Sequence, residues 1–176
     1  MPIEGLYVDR SGLGGDVTGT NKNRYHYKQA APVETFGLTS RFMYKKFDFS
    51  FSARANLGNY VYNNFASARA NYYNFYYSGY FANISKQVSS TNFKGVQYFS
   101  DLFVENASFL RMDNMSCGYN FGEILGQKLK ARISFTVQNA FVITKYTGLD
   151  PEVDGGIDNN IYPRPRVFLL GVNLTF

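Results

Sequence analysis

The sequence predicts an all-β fold: an antiparallel transmembrane β-barrel segment of about five long strands, an incomplete barrel, with long extracellular loops. Three observations lead to this fold class. Apolar and polar residues alternate along five separate stretches, and a period of two is typical of a strand whose two faces differ. Each stretch is roughly ten residues long, which is what a tilted strand needs to cross a bilayer. The connections between the stretches are either very short or very long.

The first two strands are predicted at residues 34–44 and 47–57, where the alternation is most regular. Their apolar faces carry Phe36, Leu38, Phe42 and Tyr44 in the first stretch and Phe47, Phe49, Phe51, Ala53, Ala55 and Leu57 in the second. Only Lys45 and Lys46 separate the two stretches, so we expect a tight turn between them.

The other three strands are predicted in the second half of the chain. Residues 115–121 alternate clearly, and this strand is expected to begin near Phe109, where the alternation is less regular. Apolar and polar residues alternate almost without exception over residues 129–141. The last strand, residues 168–176, ends on the ring of Phe176. Aromatic residues lie near several strand ends, as the interfacial girdle of a membrane barrel requires.

The lengths of the connections indicate which side of a membrane each one faces. Residues 45–46 and 122–128 are short turns, whereas residues 58–108 and 142–166 are long. Outer-membrane barrels have short periplasmic turns and long extracellular loops. Such barrels contain an even number of at least about eight strands, so five strands belong to a larger wall or pair with other chains. A soluble β-sandwich or lipocalin-like barrel is the alternative reading of the alternation.

Several other classes of protein are disfavoured. The longest apolar runs are far below the roughly 18 residues of a spanning helix, and the first ten residues show no secretory signal pattern. With one cysteine, Cys117, and one histidine, His26, the chain has neither an internal disulfide nor an ordinary zinc site. The net charge of +5 comes from dispersed basic residues, so we expect no nucleic acid partner. No catalytic motif is present, and the sequence predicts no enzyme and no cofactor.

The residues after the fourth strand resemble one family. The runs that carry the resemblance are residues 138–141, 144–152, 156–158, 162–166 and 171–176, and they are similar in order and spacing to the last extracellular loop and closing strand of SusC/RagA-type TonB-dependent outer-membrane transporters of Bacteroidetes. The residues matching the loop motif include Tyr146, Gly148, Asp150, Pro151, Glu152, Pro163 and Arg166. The resemblance also covers residues 107–112 with 118–119, and residues 5–9.

The resemblance implies a function and a set of partners. Such transporters import glycans or peptides through a barrel of about 22 strands that holds a plug, and they work with TonB and a SusD-like lipoprotein lid in the cell outer membrane. Residues 34–176 are then C-terminal barrel strands and residues 1–33 the remnant of an extracellular loop, a fragment expected to be inactive alone. Phe176 is similar to the terminal aromatic signal that the barrel assembly machinery recognises, and the apolar strand faces would contact outer-membrane lipid.

An aromatic and amide-rich stretch is the candidate substrate site. Its rings can stack on sugars while amides bond hydroxyl groups, and the candidate residues are Tyr60, Tyr62, Asn63, Tyr72, Tyr73, Tyr76 and Tyr77. The alternative is that these rings pack the loops together. The loop acids Asp150, Glu152, Asp154 and Asp158 are expected to be solvated or paired with Arg164 and Arg166, and no metal site is predicted. A soluble carbohydrate-binding module and a small oligomeric pore remain alternative functions, distinguishable by detergent requirement and mass.

Overall fold

The computed structural model describes residues 25–73, 85–86, 88–91, 93–124, 129–159 and 162–175. Predictions that concern residues 1–24, Tyr76, Tyr77 and Phe176 therefore lie outside the described residues. The elements within them are β1 (Glu34–Tyr44), β2 (Phe47–Leu57), β3 (Tyr60–Tyr62), α1 (Asn64–Arg69), α2 (Val88–Thr91), β4 (Val104–Asn106), β5 (Phe109–Ile124), β6 (Leu129–Thr144) and β7 (Val167–Thr175), with 3-10 turns at Asp101–Phe103 and Asp154–Gly156.

The long strands form one antiparallel sheet in the order β1-β2-β5-β6-β7. This confirms the predicted all-β class with five long strands. Strands β1 and β2 have the predicted bounds, and β5 and β6 each extend to 16 residues. Each long strand pairs with the next long strand along the chain, and β7 pairs with residues 130–138 of β6. No helix in the described part of the chain is long and apolar enough to cross a membrane.

The register of the sheet separates the apolar side chains from the polar ones. One cross-strand row joins Phe42, Phe49, Cys117, Phe135 and Leu170 on the apolar face. Many side chains of this face are exposed, for example Phe42 at 58% and Leu170 at 75%. On the opposite face a hydroxyl row crosses β2, β5 and β6, and Thr136 Oγ1 donates to Ser116 Oγ at 2.8 Å. The sheet thus has one polar and one continuous apolar surface.

A β-bulge explains why the alternation of β5 is irregular near its start. The pairing with β2 shifts between Met112 and Asn114, so Asp113 is an extra residue in β5 relative to β2. An extra residue reverses which face the preceding side chains occupy. Phe109 and Arg111 consequently lie on the polar face, and the Phe109 ring is only 3% exposed. The Arg54 guanidinium lies 5.9 Å from the centroid of this ring, and its Nε contacts the Asp113 carboxylate at 3.0 Å.

The chain divides into two compact units. The sheet unit comprises residues 32–58, 107–145 and 162–176, and the loop unit comprises residues 1–31, 59–106 and 146–161. The loop unit has an apolar core of its own, made by Tyr62, Ala70, Phe93 and Phe103 with Ala66 and Val104 packed against it. The predicted long connections therefore contain a small folded body with its own strands and helices.

Candidate functional site

A buried ion pair lies on the polar face of the sheet. Arg132 donates from Nη2 to Asp48 Oδ1 at 2.6 Å and from Nε to Oδ2 at 3.0 Å, so the contact is bidentate. The Asp48 side chain is 6% exposed and the Arg132 side chain 32%. Arg41 lies further away, with its Nη2 3.9 Å from the same carboxylate. The arrangement crosslinks β2 and β6 over the strand between them.

Gly118 of β5 makes this crosslink possible. Gly118 pairs directly with Asp48 on one side and with Ser134 on the other. A Cβ atom at this position would overlap both the Arg132 guanidinium and the Asp48 carboxylate. The glycine therefore provides the space through which the two side chains meet, and its backbone conformation is an ordinary strand one.

Glu105 joins two parts of the loop unit, residues 59–106 and 146–161. Its Oε1 accepts hydrogen bonds from Asn63 Nδ2 at 3.0 Å and from Thr147 Oγ1 at 2.8 Å. Its Oε2 accepts from the Thr147 backbone N–H at 2.8 Å. Asn63 also caps α1, because its Oδ1 accepts from the Ala66 N–H at 2.9 Å. We call Asn63, Glu105 and Thr147 the carboxylate clamp.

Tyr146 anchors the segment that follows β6. Its side chain is 5% exposed, and its hydroxyl donates to Asp158 Oδ2 at 2.6 Å. Burial, followed by the hydrogen bond and negative charge of Asp158, raises the pKa of Tyr146. The hydroxyl thus remains a donor at any physiological pH. Gly148 lies against the Tyr146 ring, which occupies the space that a Cβ at position 148 would need.

The loop acids differ in their exposure. Asp150 and Asp158 are 4% and 3% exposed and are not solvated, whereas Asp154 is exposed as expected. Pairing of the loop acids with Arg164 and Arg166 stays a prediction. The Glu152 N–H donates to Asp150 Oδ1 at 2.9 Å, which closes a local turn around the buried Pro151. Pro163 and Arg166 are exposed and belong to the sheet unit. Among the described residues no group of acidic, histidine or cysteine side chains could hold a metal ion.

Two of the five described candidate substrate residues lie in the interior of the loop unit. Tyr62 is 9% and Asn63 is 3% exposed, and both side chains make the hydrogen bonds of the folded loops. Tyr60 is half-buried, with Lys28 Nζ 4.8 Å from its ring centroid. Tyr72 is also half-buried, whereas Tyr73 is 52% exposed. Substrate binding by these residues stays a prediction, and Tyr73 is the one that a ligand could reach most readily.

Other aromatic side chains, outside the candidate stretch, are also exposed. They are Tyr25, Tyr27, Tyr98 and Phe99, with exposed fractions of 43%, 48%, 65% and 77%. Tyr25 and Tyr27 form an edge-to-face pair, and the Tyr25 hydroxyl donates to Asp101 Oδ2 at 2.6 Å. His26 between them is exposed, as expected of a surface histidine. The sequence signal for this group was weak, because its members come from two distant parts of the chain.

Comparison with known proteins identifies the family. The TonB-dependent receptor SusC of Bacteroides thetaiotaomicron is 45% identical over an alignment of 182 positions, which covers 99% of this chain and 18% of that protein. The chain is part of a SusC/RagA-type TonB-dependent receptor. The receptor P39 of Formosa agariphila is 27% identical to this receptor segment and is matched over 93% of the segment and 19% of its own length. No protein-family model matches the segment.

Solved structures agree with the fold of the receptor segment. The RagAB peptide importer in its closed-closed state superposes with a TM-score of 0.72 at 23% identity, covering 89% of the segment and 19% of the solved chain. The open-open state gives 0.68 at 23% identity, covering 93% and 20%. This receptor segment therefore spans about a fifth of the proteins that it matches. The resemblance to this family and the transmembrane-barrel type of sheet predicted from the residues are both confirmed.

Proposed function

We propose that the receptor segment supplies strands and outer loops to a TonB-dependent importer of glycans or peptides in the cell outer membrane. The observation that carries the proposal is the two-faced sheet, in a chain that is 45% identical to SusC over nearly its whole length. Its exposed apolar face has the character of a surface in contact with outer-membrane lipid. Its polar face, with Asp48 and Arg132, has the character of a barrel lumen.

The partners follow from the same proposal. The complete receptor would bind TonB and a SusD-like lipoprotein lid, and the barrel assembly machinery would insert it, with Phe176 as part of the signal. The long connections, residues 58–108 and 142–166, would contribute to the outer mouth. Residues 34–176 act in this scheme as barrel strands and their loops, and residues 1–33 as a loop remnant. No catalytic role is proposed.

Uptake by cells that lack the complete receptor gene tests this function. The deletion strain should fail to grow on one class of polymer, either glycans or peptides, and should grow normally on the corresponding small monomers. The complete gene should restore growth, and a gene that lacks the codons for residues 34–176 should not. Normal growth of the deletion strain on both classes would contradict the proposal. The class on which growth fails distinguishes glycan import from peptide import.

A further inference from the structure

One segment of the loop unit lies between two fixed ends. Phe93 and Phe103 both belong to the apolar core of this unit and are 4% and 2% exposed. Their backbone carbonyls also accept hydrogen bonds, from the Tyr72 N–H at 2.9 Å and from the Asn63 N–H at 2.8 Å respectively. The chain between them therefore leaves the core at one anchored residue and returns to it at another. We call residues 94–100 the strap.

Two hydroxyl groups of the folded interior hold the middle of the strap. The Tyr62 hydroxyl accepts the Phe99 N–H at 2.9 Å and donates to Ser67 Oγ at 2.9 Å. Ser67 Oγ donates in turn to the Gln97 backbone carbonyl at 3.1 Å. Both hydroxyl groups come from buried residues, with Tyr62 9% and Ser67 1% exposed. We call Tyr62 and Ser67 the latch, because together they bind the strap backbone at two points.

The backbone of Phe99 opposes the latch. Its φ of +55° lies in the left-handed region, which is uncommon for a bulky residue. Its ring stacks on the Tyr62 ring with 5.7 Å between the centroids, which favours the latched arrangement. The strain of such a backbone and the net gain from one hydrogen bond are of the same order. A balance this close is what a segment with two populated conformations requires.

Gly95 gives the strap a point about which to turn. Glycine has a wider choice of backbone conformations than any other residue, and Gly95 lies two residues after the Phe93 anchor. Gln97 Nε2 donates to the Gly95 carbonyl at 3.2 Å, which is a hydrogen bond within the strap itself. Rotation at Gly95 would therefore carry Gln97 and Phe99 away from the latch while the apolar core stays in place.

We propose that the strap is a conformational switch with two states. In the latched state, which is the one described above, Tyr62 and Ser67 hold the strained Phe99 against the loop unit. In the released state Phe99 relaxes to a negative φ and its N–H bonds to water, while Tyr62 keeps its bond to Ser67. The released state is populated in about 0.1–10% of molecules. This inference goes beyond the proposed function, because it concerns how the loop unit moves and holds for either class of imported polymer.

Amide hydrogen exchange of the complete purified receptor in detergent, resolved to single residues, tests the independence of the strap. A released population of this size gives the Phe99 amide a protection factor of about 10 to 1,000. The Asn63 and Tyr72 amides report the two anchors and should be at least about tenfold better protected, because they exchange only when the core opens. Equal protection of all three amides overturns the switch, since the strap would then open only with the whole loop unit.

Replacements at position 99 test the strain. Phe99→Asn and Phe99→Ala both remove the ring, but Asn tolerates a left-handed backbone better than Ala does. After correction for intrinsic exchange rates, the amide at position 99 should be about three- to tenfold better protected in Phe99→Asn than in Phe99→Ala. Equal protection in the two variants overturns the proposal, because no strain would then oppose the latch.

Cleavage of the complete receptor by chymotrypsin after Tyr98, followed by mass spectrometry, tests the latch. Tyr62→Phe removes only the hydroxyl group and should speed this cleavage about three- to tenfold, the value of one hydrogen bond. Tyr60→Phe is the matched control, because it removes a hydroxyl group from the same strand, β3, and should leave the rate unchanged. Equal cleavage rates in the two variants overturn the latch. The proposed import function is tested separately, by growth of the deletion strain.

Discussion

Gly118 shows how a single residue without a side chain can determine a contact between two others. The Asp48–Arg132 pair passes over it, and both partners are well placed only while position 118 has no Cβ. The sequence places an acid on the polar face of β2 and a base on the polar face of β6. It does not show that the two side chains form an ion pair. The ion pair depends on the register of three strands and on one glycine.

Gly118→Ala is expected to destabilise the sheet. The added methyl group would displace a buried carboxylate or its guanidinium partner, and overpacking of this kind costs about 1–3 kcal/mol. Urea unfolding of the complete receptor in detergent, followed by far-UV circular dichroism, measures the loss in the free energy of unfolding.

Gly37→Ala is the matched control for this prediction. Gly37 lies on the polar face of β1, opposite Arg54, and among the described residues no atom lies within 4 Å of a Cβ built there. Its replacement should change the free energy of unfolding by less than about 0.5 kcal/mol. Equal effects of the two substitutions would mean that space beside the ion pair is not what Gly118 provides.

At the scale of elements, the strands could be predicted and the loop unit could not. The five strands follow from alternation, which is a local property, because each side chain takes its face from its neighbours along the chain. The bulge at Asp113, relative to β2, is the local exception, since an extra residue reverses the phase and made the start of β5 hard to read. The loop unit depends on contacts between distant segments, such as the parallel bridge between Tyr62 and Ile157.

The same difference between local patterns and distant contacts explains why some candidate site residues are buried. Tyr62 and Asn63 lie in a stretch whose composition suggests an exposed sugar site, yet both are interior residues of the loop unit. Composition shows which side chains could stack or donate hydrogen bonds. It does not show whether they face a ligand or the chain's own core.

The carboxylate clamp gives a prediction at the same scale. Glu105→Gln and Thr147→Val each remove hydrogen bonds that join β4 to the segment after β6, and each should destabilise the loop unit by about 1–2 kcal/mol. Because the two residues bond each other, the double variant should lose less than the sum, with a coupling of about 1 kcal/mol.

Amide hydrogen exchange of residues 146–158 in the complete receptor measures this loss. Leu149→Ala, at a 64% exposed position in the same segment, is the control and should leave the exchange rates unchanged. Strictly additive effects of Glu105→Gln and Thr147→Val would show that their hydrogen bonds do not act together.

At the scale of the whole molecule, the two-faced sheet implies different tolerance for charge on its two surfaces. Leu170 and Leu169 are adjacent in β7, but Leu170 pairs with Phe135 on the apolar face and Leu169 with Thr136 on the polar face. Leu170→Arg should therefore cost about 2–4 kcal/mol in a bilayer and reduce the amount of receptor in the outer-membrane fraction.

Leu169→Arg is the control for this prediction, since it places the same charge one residue away on the polar face. It should assemble at the level of the parent receptor, as measured by quantitative immunoblotting of outer-membrane fractions. Equal assembly of both variants would mean that the apolar face does not contact lipid.

The loop unit is built from separated segments of the chain. This sets an order of events during biogenesis. Its β3 and β4 come from the connection between β2 and β5, whereas its Tyr146 anchor follows β6. Thr147 can reach Glu105 only after the β5–β6 hairpin has closed, because that hairpin separates them along the chain. We therefore expect the loop unit to mature late, which makes its protease resistance a natural reporter of completed strand pairing.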